Sequence, residues 1–385
     1  MGIFVDDFEN LRQNGITKTA FKRFGDPNVV PLWFGEGDIP TPQIIREAAQ
    51  QALDNGATFY THTLGSRELR IAIQQYIENQ LGTPTDLERI CVPGSSMLAV
   101  NIAVHMTLSK NDHAIVISPH WPNVDRAMSV VGADITYVRQ DFTDCKWQLS
   151  LEKVFDAVTD TTRVIYLNSP SNPTGWTMSA EDQNALLTFC REKQIVILAD
   201  EVYNRVTFEL DAAPSFLEIT EPEDPVIVVN GFSKAYAMTG WRLGWLVAPK
   251  GYQEQLAVVS ECFNTSAPSF IQQAGVAALT KGEPIIKDLR ERYKAGRTLV
   301  MDAFQPHSRI QIAEPEGAFY VFPKIDGINS SEHFTNTVLE KLNIGLAPGY
   351  TFGPKNEQHF RLCFAQSHDK LKVALQKIVD FIHEY

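Results

Sequence analysis

The sequence lacks a paired-cysteine framework and an excess of basic residues. Its five cysteines, Cys91, Cys145, Cys190, Cys262 and Cys363, are odd in number and form no C-x-x-C pair. This pattern is typical of reduced cytoplasmic thiols and argues against a disulfide scaffold. The 46 acidic residues outnumber the 34 basic ones, which gives a formal net charge of −12. Nucleic-acid binders and polybasic membrane proteins need a basic surface, so neither partner is expected.

Long apolar runs and two nucleotide-binding patterns are also missing. No apolar run approaches the length of a membrane span. The opening residues, MGIFVDDFEN, have acids where a signal peptide has basic residues, so we expect a cytoplasmic protein. Neither G-x-x-x-x-G-K-[ST] nor a G-x-G-x-x-G following a strand occurs. These absences argue against a P-loop and weaken a dinucleotide-binding interpretation.

Short apolar runs are present through the middle of the 385-residue chain, and each ends in a polar turn. They are RICV (89–92), HAIVIS (113–118), RVIYLN (163–168), IVILAD (195–200), PVIVVN (225–230) and RLGWLVA (242–248). Continuous apolar strands alternating with helices favour a parallel sheet that is covered on both faces. We therefore predict an α/β fold whose large domain spans residues 45–283.

The last third of the chain has a different pattern. A charged helix is predicted at about residues 284–305, followed by strand-like pieces at RIQIAE, AFYVFPKI and HFRLCFA. A final amphipathic helix places Leu371, Leu375, Ile378 and Ile382 on one side. These features predict a smaller α+β domain, residues 284–385, which the N-terminal segment 1–44 joins.

Polar or aromatic residues follow five of the predicted strands. They are Ser95 and Ser96, Trp121, Asn172, Asp200 and Lys234. In an open α/β sheet, ligands bind outside the carboxyl ends of the strands. The sequence therefore predicts one binding site at this edge.

Each of these motifs alone has an ordinary structural explanation. The serines of PGSSM fit a phosphate at a helix N-terminus, but by themselves they fit a helix N-cap better. Asp200 in ILADEVY can hold a cationic ring nitrogen, with Tyr203 nearby, or it can cap a helix. NSPSNPTG, with Asn172, is by itself simply a turn.

The stretch NGFSKAYAMTGWRLG (230–244) combines one lysine and one arginine with small and apolar residues. A desolvated lysine near other cations becomes a nucleophile that can react with a carbonyl group. Arg242 has the planar fork that suits a phosphate. With Asp200 placed for a ring nitrogen, these residues meet the needs of pyridoxal phosphate.

The segment GFSKAYAMTGWRLG resembles the cofactor-attachment signature of class I aminotransferases. With NSPSNPTG, ILADEVY, PEGAFYVF and FRLCFA in order, the chain resembles fold-type I, pyridoxal-phosphate-dependent aminotransferases of the aspartate aminotransferase type. The resemblance extends from PLWFGEGDIPTP to the C-terminus. It implies a mainly parallel sheet of the seven-stranded type in the large domain.

The resemblance also implies roles for individual residues. Lys234 holds the cofactor as an internal aldimine, Asp200 pairs with the pyridine nitrogen, Tyr203 and Asn172 contact the ring oxygen, and Trp121 stacks on the ring. Around the phosphate are Ser95, Ser96, Ser233 and Arg242, together with Tyr60 reaching in from a neighbouring subunit. Gly35 and Arg361 bind the substrate α-carboxylate, and Trp121 and Asn172 lie beside the substrate.

Two positions depart from the family pattern. Gly231 stands three residues before the lysine, where some relatives use serine for the phosphate. Tyr350, in APGYTFG, stands where a small or polar residue is frequent, so it bears on substrate choice.

The expected function is an aminotransferase that moves an amino group between an L-amino acid and a 2-oxo acid in two half-reactions. Lys234 acts as general base and acid, and a homodimer with shared active sites is expected. The alternatives are a C–S β-lyase of the same fold, which PLWFG resembles, and a non-catalytic binding or regulatory relative. The nine histidines show no metal-ligand spacing. The amino acid is not identified, although the sequence favours a neutral, aromatic or basic side chain.

Overall fold

The computed structural model describes residues 13–385. Its α-helices are α1 Gly15–Ala20, α2 Gln43–Asp54, α3 Arg67–Leu81, α4 Ser96–Thr107, α5 Pro122–Val130, α6 Leu151–Asp156, α7 Ala180–Lys193, α8 Gln253–Asn264, α9 Ser269–Lys281, α10 Glu283–Phe304, α11 Ser331–Leu342 and α12 His368–Glu384. Its strands are β1 Val30–Pro31, β2 Ile90–Gly94, β3 His113–Ser118, β4 Asp134–Arg139, β5 Asp141–Thr143, β6 Lys146–Gln148, β7 Thr162–Asn168, β8 Val196–Asp200, β9 Val226–Gly231, β10 Gly244–Val247, β11 Ile310–Gln311, β12 Tyr320–Val321, β13 Lys324–Ile325, β14 Ile344–Gly345, β15 Ala347–Pro348 and β16 Phe360–Cys363. Short 3₁₀-helices lie at Leu87–Arg89, Phe216–Glu218, Thr239–Trp241 and Gly349–Phe352.

The central sheet has seven strands in the order β2-β10-β9-β8-β7-β3-β4. Strands β9, β8, β7, β3 and β4 run parallel to one another, which confirms the predicted mainly parallel sheet. Strand β10 is the exception, because it runs antiparallel to both β9 and β2. An apolar run such as RLGWLVA indicates burial but not strand direction, so only the structure gives this reversal.

Both faces of the sheet are buried, and each strand contributes alternate residues to two cores. In β3, Ile115 and Ile117 pack into the core on one face, whereas Ala114 and Val116 pack into the core on the other. Side chains alternate across a strand, so a strand buried on both faces needs apolar residues at successive positions. This explains the continuous apolar runs in the sequence.

The C-terminal third forms a smaller α+β arrangement around its own core. Helix α10 coincides closely with the predicted helix at 284–305, and the final helix α12 buries the four predicted apolar residues. Strands β12, β16 and β15 form an antiparallel sheet. The run AFYVFPKI gives two separate short strands, β12 and β13, because Pro323 stands between them and cannot donate to a ladder.

The described part of the N-terminal segment contacts this C-terminal arrangement. Strand β1 pairs in parallel with β14. Ile16 and Ala20 of α1 share an apolar cluster with Leu339, Ala347 and Phe352. The domain boundaries at 44/45 and 283/284 remain predictions, and residues 1–12 of the predicted segment lie outside the described residues. Within the described residues, every helix is too short or too polar to cross a lipid bilayer.

Candidate active site

A cavity of about 250 Å³ opens at the carboxyl ends of the central strands. Ten of the twelve predicted site residues line it: Gly35, Ser96, Trp121, Asn172, Asp200, Tyr203, Ser233, Lys234, Arg242 and Arg361. They come from positions throughout the chain and meet because parallel strands end at the same edge. The other two, Ser95 and Tyr60, are not among the lining residues.

Asp200 is the last residue of β8, and its side chain is buried. Its carboxylate accepts hydrogen bonds from the Tyr166 hydroxyl at 3.1 Å and from the Val202 backbone N–H at 3.3 Å. Burial raises the pKa of Asp200 to about 6, and these two hydrogen bonds partly oppose the rise. The residues after Asp200 form turns rather than a helix, so the helix-cap interpretation of this residue is wrong.

Lys234 follows β9 and is partly exposed to the cavity. Its Nζ donates to the Gly35 carbonyl oxygen at 2.7 Å and lies 5.6 Å from the centre of the Tyr203 ring. Burial lowers the pKa of Lys234 to about 8, and the nearby charges of Arg361 and Arg242 act in the same direction. A substantial fraction of this amine is therefore neutral near pH 8, as a nucleophile requires.

Arg361, in β16, is a buried cation with no acidic partner among the described residues. Its guanidinium donates to the Asn172 Oδ1 at 2.8 Å and to the Trp33 carbonyl oxygen. It lies between two rings, with centroids at 4.5 Å for Tyr320 and 5.0 Å for Phe352. Among residues 13–385, its Nε has no hydrogen-bond partner. A buried, unneutralised guanidinium with a free N–H is suited to bind a carboxylate.

The N-terminus of α4 forms another part of the cavity wall. Ser95 caps this helix, since its hydroxyl accepts from the Leu98 N–H at 3.2 Å, while the Ser96 hydroxyl donates to the Asn230 carbonyl oxygen at 3.0 Å. The Ser95 hydroxyl therefore acts as a helix N-cap, as one of the two interpretations of PGSSM predicts. A side chain at Gly231 would collide with the Ser96 hydroxyl, so a serine at position 231 would not fit here.

Arg242 and Ser233 lie near this wall. Arg242 is exposed, although its sequence surroundings are apolar, and its Nη1 donates to the Thr239 carbonyl oxygen at 2.6 Å. Ser233 is partly exposed and lines the cavity. The helix N–H groups, Ser233 and Arg242 are donors suited to a phosphate.

Tyr60 lies away from the cavity, and its side chain is 89% exposed. The adjacent Phe59 is 82% exposed. Both line a separate groove with Pro268 and Phe270. Two neighbouring, almost fully exposed aromatic rings are unusual on the surface of a single chain.

The structure adds site residues that sequence reasoning missed. Tyr320 lines the cavity, and its hydroxyl lies 2.6 Å from that of Tyr203. Asn168 donates to the Asp200 carbonyl oxygen at 2.8 Å and accepts from the Asn172 N–H at 2.6 Å. Tyr320 and Asn168 both belong to motifs that the sequence analysis quoted, PEGAFYVF and RVIYLN, but a side chain's orientation within a motif has no sequence signal.

Tyr350 does not line the cavity. Its hydroxyl instead lies against Gly15 of α1, where a side chain would collide with it. The structure therefore places Tyr350 behind the helix that forms part of the wall, and any influence on substrate choice acts through α1.

These features are those of an α/β protein with a reactive lysine, a buried carboxylate and an anion-binding arginine around one cavity. The chain matches the family of class I and II aminotransferases over residues 29–378, and it belongs to this family. It is therefore a transaminase of the fold-type I group. Members of this family use pyridoxal phosphate as their cofactor.

Similar proteins have different substrates in their names. The chain is 32% identical to a probable N-acetyl-LL-diaminopimelate aminotransferase of Bacillus subtilis, over 96% of this chain and 93% of that protein. It is 33% identical to an aspartate aminotransferase of Pyrococcus horikoshii, over 91% of this chain and 90% of that protein. The structure of an aromatic aminotransferase from Pyrococcus horikoshii superposes with a TM-score of 0.88 at 29% identity, covering 96% of this chain and 99% of that chain.

Proposed function

We propose that this protein binds pyridoxal phosphate at Lys234 and transfers an amino group between an L-amino acid and a 2-oxo acid in two half-reactions. The observation that supports this best is the presence of Lys234, Asp200 and Arg361 around one cavity. A neutral amine, a buried carboxylate and an unneutralised guanidinium provide the three groups that the chemistry needs.

The residues of the cavity fit this cofactor. Asp200 is a buried carboxyl group that becomes more stable as an anion beside a cationic ring nitrogen, because an opposite charge offsets its burial. Trp121 provides a flat apolar surface for a ring. The N-terminus of α4, with Ser95 and Ser96, provides oriented N–H groups for the phosphate.

Four further residues complete the proposed binding site. Arg242 and Ser233 contribute donors to the phosphate, and Tyr203 donates its hydroxyl hydrogen to the ring oxygen, which Asn172 also contacts. When bound, the cofactor supplies an electron sink for the charge that develops at the substrate α-carbon.

Lys234 performs the proton transfer in this proposal. Its Nζ is held at the cavity by the Gly35 carbonyl oxygen, within reach of a bound substrate. With a pKa lowered to about 8, the amine can accept the α-proton near neutral pH and return it afterwards. The alternation of a neutral and a protonated Nζ would move this proton within each half-reaction.

Arg361 binds the substrate α-carboxylate in this proposal. Its Nε has no hydrogen-bond partner in the described part of the chain, and its contacts to Asn172 and Trp33 involve neutral acceptors. A carboxylate would therefore supply the missing acceptor and the missing negative charge together. A side chain at position 35 would collide with the Tyr320 hydroxyl, so the glycine keeps this part of the cavity open.

The cavity wall near α1 favours a neutral substrate side chain. Asn14, Ile16 and Phe34 line this part, and Asn14 donates to the Asn123 side chain at 3.3 Å. In the part of the chain that the structure describes, the charged lining residues are Asp200, Lys234, Arg242 and Arg361, which already have proposed roles. We propose that at least one substrate has a neutral or aromatic side chain.

A homodimer with shared active sites is part of the proposal. The exposed Phe59 and Tyr60 rings are better suited to a protein interface than to water. Tyr60 would then reach the phosphate of the partner's cofactor. The cytoplasm is the proposed location, which the five unpaired cysteines support.

Single-turnover spectroscopy tests this function. Protein loaded with pyridoxal phosphate is mixed with a panel of amino acids and no oxo acid. We expect neutral or aromatic amino acids to change the visible absorbance and to release one equivalent of the matching 2-oxo acid. A 2-oxo acid added next should restore the original spectrum.

Product analysis separates the alternatives. Release of ammonia and pyruvate from cystathionine, without transfer to an oxo acid, would establish the C–S β-lyase instead. A protein that binds amino acids with no spectral change would be a non-catalytic relative. A response to dicarboxylic amino acids alone would contradict the neutral-side-chain proposal but not the transaminase function.

A further inference from the structure

Tyr320 is a fully buried residue that contacts two residues of the proposed site, Tyr203 and Arg361. It belongs to the two-residue strand β12, which pairs with β16, so Tyr320 lies directly across from Cys363 and close to Arg361. Its hydroxyl is 2.6 Å from the Tyr203 hydroxyl. Its ring lies 4.5 Å from the Arg361 guanidinium carbon.

The contact between two hydroxyls has a direction. Each phenol has one proton, and only one of the two protons can lie between the oxygens. In residues 13–385, each of these hydroxyls has no hydrogen-bond partner other than its companion. If Tyr320 donates to Tyr203, the Tyr203 proton is free to point into the cavity. If Tyr203 donates to Tyr320 instead, the Tyr203 proton lies between the two oxygens and cannot reach a ligand.

Burial makes the choice of direction important. Both residues are buried, so each hydroxyl depends mainly on the other for its hydrogen bond. A hydrogen bond accepted by one hydroxyl also strengthens that hydroxyl as a donor to the next acceptor. Tyr320 can therefore orient the Tyr203 hydroxyl and make it a better donor.

The ring of Tyr320 has a second contact that is independent of its hydroxyl. The Arg361 guanidinium is enclosed between Tyr320 and Phe352, and its edges are held by Asn172 and Trp33. A cation stacked on an aromatic face is stabilised there, most strongly where water is excluded. Removing the ring would release one side of the guanidinium.

We propose that Tyr320 is a positioning residue with two separable effects: its hydroxyl directs the Tyr203 proton to the cofactor's ring oxygen, and its ring holds Arg361 for the substrate carboxylate. This inference rests on the proposed function. Neither effect requires Tyr320 to touch the reacting atoms. The hydroxyl acts through Tyr203, and the ring acts through Arg361.

The variant Tyr320→Phe tests the hydroxyl. A donor to the ring oxygen favours the form with more negative charge on that oxygen, so weakening it should raise the pH midpoint of the bound cofactor's visible absorbance. We expect a rise of ~0.5 pH unit, about the size of a modest hydrogen-bond effect. The KM for the amino acid should stay within about twofold of wild type, since the stacked ring is retained.

The matched control is Tyr293→Phe. Tyr293 is a buried tyrosine of the same apolar cluster that does not line the cavity. In Tyr293→Phe, the pH midpoint of the bound cofactor's visible absorbance should equal that of wild type. If Tyr320→Phe also titrates as wild type does, the hydroxyl part of the proposal is overturned. Equal shifts in both variants would overturn it too, because the effect would then be a general result of core changes.

The variant Tyr320→Leu tests the ring. It should show the same absorbance shift as Tyr320→Phe and, in addition, a KM for the amino acid raised ~5-fold or more through the loss of stacking. If Tyr320→Leu does not fold, Tyr320→Met is measured in its place. An unchanged KM in the folded variant overturns the ring part. Wild-type protein that shows no cofactor absorbance would overturn the proposed function itself, which distinguishes the two failures.

Discussion

At the scale of single residues, burial moves the pKa values of Lys234 and Asp200 towards each other. The pKa of the amine falls to about 8 and that of the carboxyl group rises to about 6, since desolvation disfavours each charged form. Exposed groups of these types would both be charged at neutral pH. In this cavity, the amine keeps a neutral form within reach of ordinary conditions, which suits it to bond formation. The buried carboxyl group is stabilised as an anion when a cation pairs with it.

The first prediction concerns cofactor attachment to Lys234. Only the neutral amine attacks a carbonyl group, and a pKa lowered to about 8 means that the neutral fraction rises with pH and levels off above that value. Between pH 6.5 and 7.5, the attachment rate should increase about eightfold, and it should change little above pH 9. Stopped-flow absorbance of cofactor-free protein mixed with pyridoxal phosphate measures this rate.

The identity of the lysine can be checked in the same material. Borohydride reduction followed by peptide mapping should label Lys234, and Lys234→Arg should show no attachment at any pH. A label on another lysine would contradict the assignment. A rate that keeps rising to pH 10.5 would show that the amine is not desolvated.

The second prediction concerns Arg361. Arg361→Ala should retain bound cofactor but lose affinity for amino acids, because the α-carboxylate would face a cavity without its cation. A loss of about 2–5 kcal/mol, hence at least ~30-fold in kcat/KM, is expected for a buried charge-paired contact. Arg361→Lys, which keeps the charge without the planar fork, is the matched control and should lose less.

Cofactor absorbance and steady-state kinetics separate the possible outcomes for Arg361. A colourless Arg361→Ala protein with normal affinity for amino acids would mean that Arg361 serves the cofactor instead.

At the scale of elements, the site depends on how α4 begins. The first residue of this helix, Ser96, lines the cavity, and Ser95 holds the first turn by accepting the Leu98 N–H. The ends of strands β9 and β10 lie so close to the start of α4 that side chains at Gly231 and Gly244 would collide with Ser96. The free N–H groups of the helix are thereby held at the end of the cavity where we propose that the phosphate binds.

The third prediction compares two helix caps. Ser95→Ala and Ser179→Ala each remove a hydroxyl that caps a helix, α4 and α7 respectively. Each should lower the free energy of unfolding of the cofactor-free protein by about 1 kcal/mol. Only Ser95→Ala should also raise the dissociation constant for pyridoxal phosphate, by ~5-fold, since α7 is remote from the cavity.

Chemical denaturation and fluorescence titration give the two quantities. Equal dissociation constants for the two variants would show that α4 does not bind the phosphate. A weaker cofactor complex with unchanged stability would show instead that Ser95 contacts the phosphate directly.

At the scale of the whole molecule, the exposed pair Phe59 and Tyr60 is the feature that one chain leaves unexplained. Most large aromatic rings in this chain are buried, whereas these two are 82% and 89% exposed. Two-fold dimers are the commonest closed assembly, and in such a dimer each chain can complete the other's cavity. In the proposed dimer, Tyr60 contributes to the cavity of the partner chain, although it does not line the cavity of its own chain.

The fourth prediction uses mixed dimers. Tyr60→Ala and Lys234→Ala proteins should each be nearly inactive on their own. After random re-association, half of the dimers combine the two chains, and each mixed dimer has one intact site and one doubly damaged site. About a quarter of wild-type activity should then return.

Mass spectrometry of differently tagged chains confirms that mixed dimers have formed. If they have formed and the activity stays at the level of the parents, Tyr60 does not act across the interface.

The class of fold could be predicted from the amino-acid sequence, and so could most of the predicted residues that line the cavity. Runs of apolar residues reported burial on both faces, which specifies a covered parallel sheet, and parallel strands bring their carboxyl ends to one edge. Residues as distant as Trp121 and Lys234 could therefore be assigned to one site without any contact information. The helices α10 and α12 were predictable for a similar reason, because their periodicity depends on local geometry.

Strand direction and the orientation of individual side chains could be learned only from the folded chain. The reversed direction of β10 leaves no trace in an apolar run, and the hydroxyl of Ser95 could cap a helix or face a ligand with the same local sequence. The position of Tyr320 between Tyr203 and Arg361 requires three segments to meet. The contact between Tyr203 and Tyr320 joins residues 117 positions apart. A local pattern has no information about which distant partner fills the space beside a side chain.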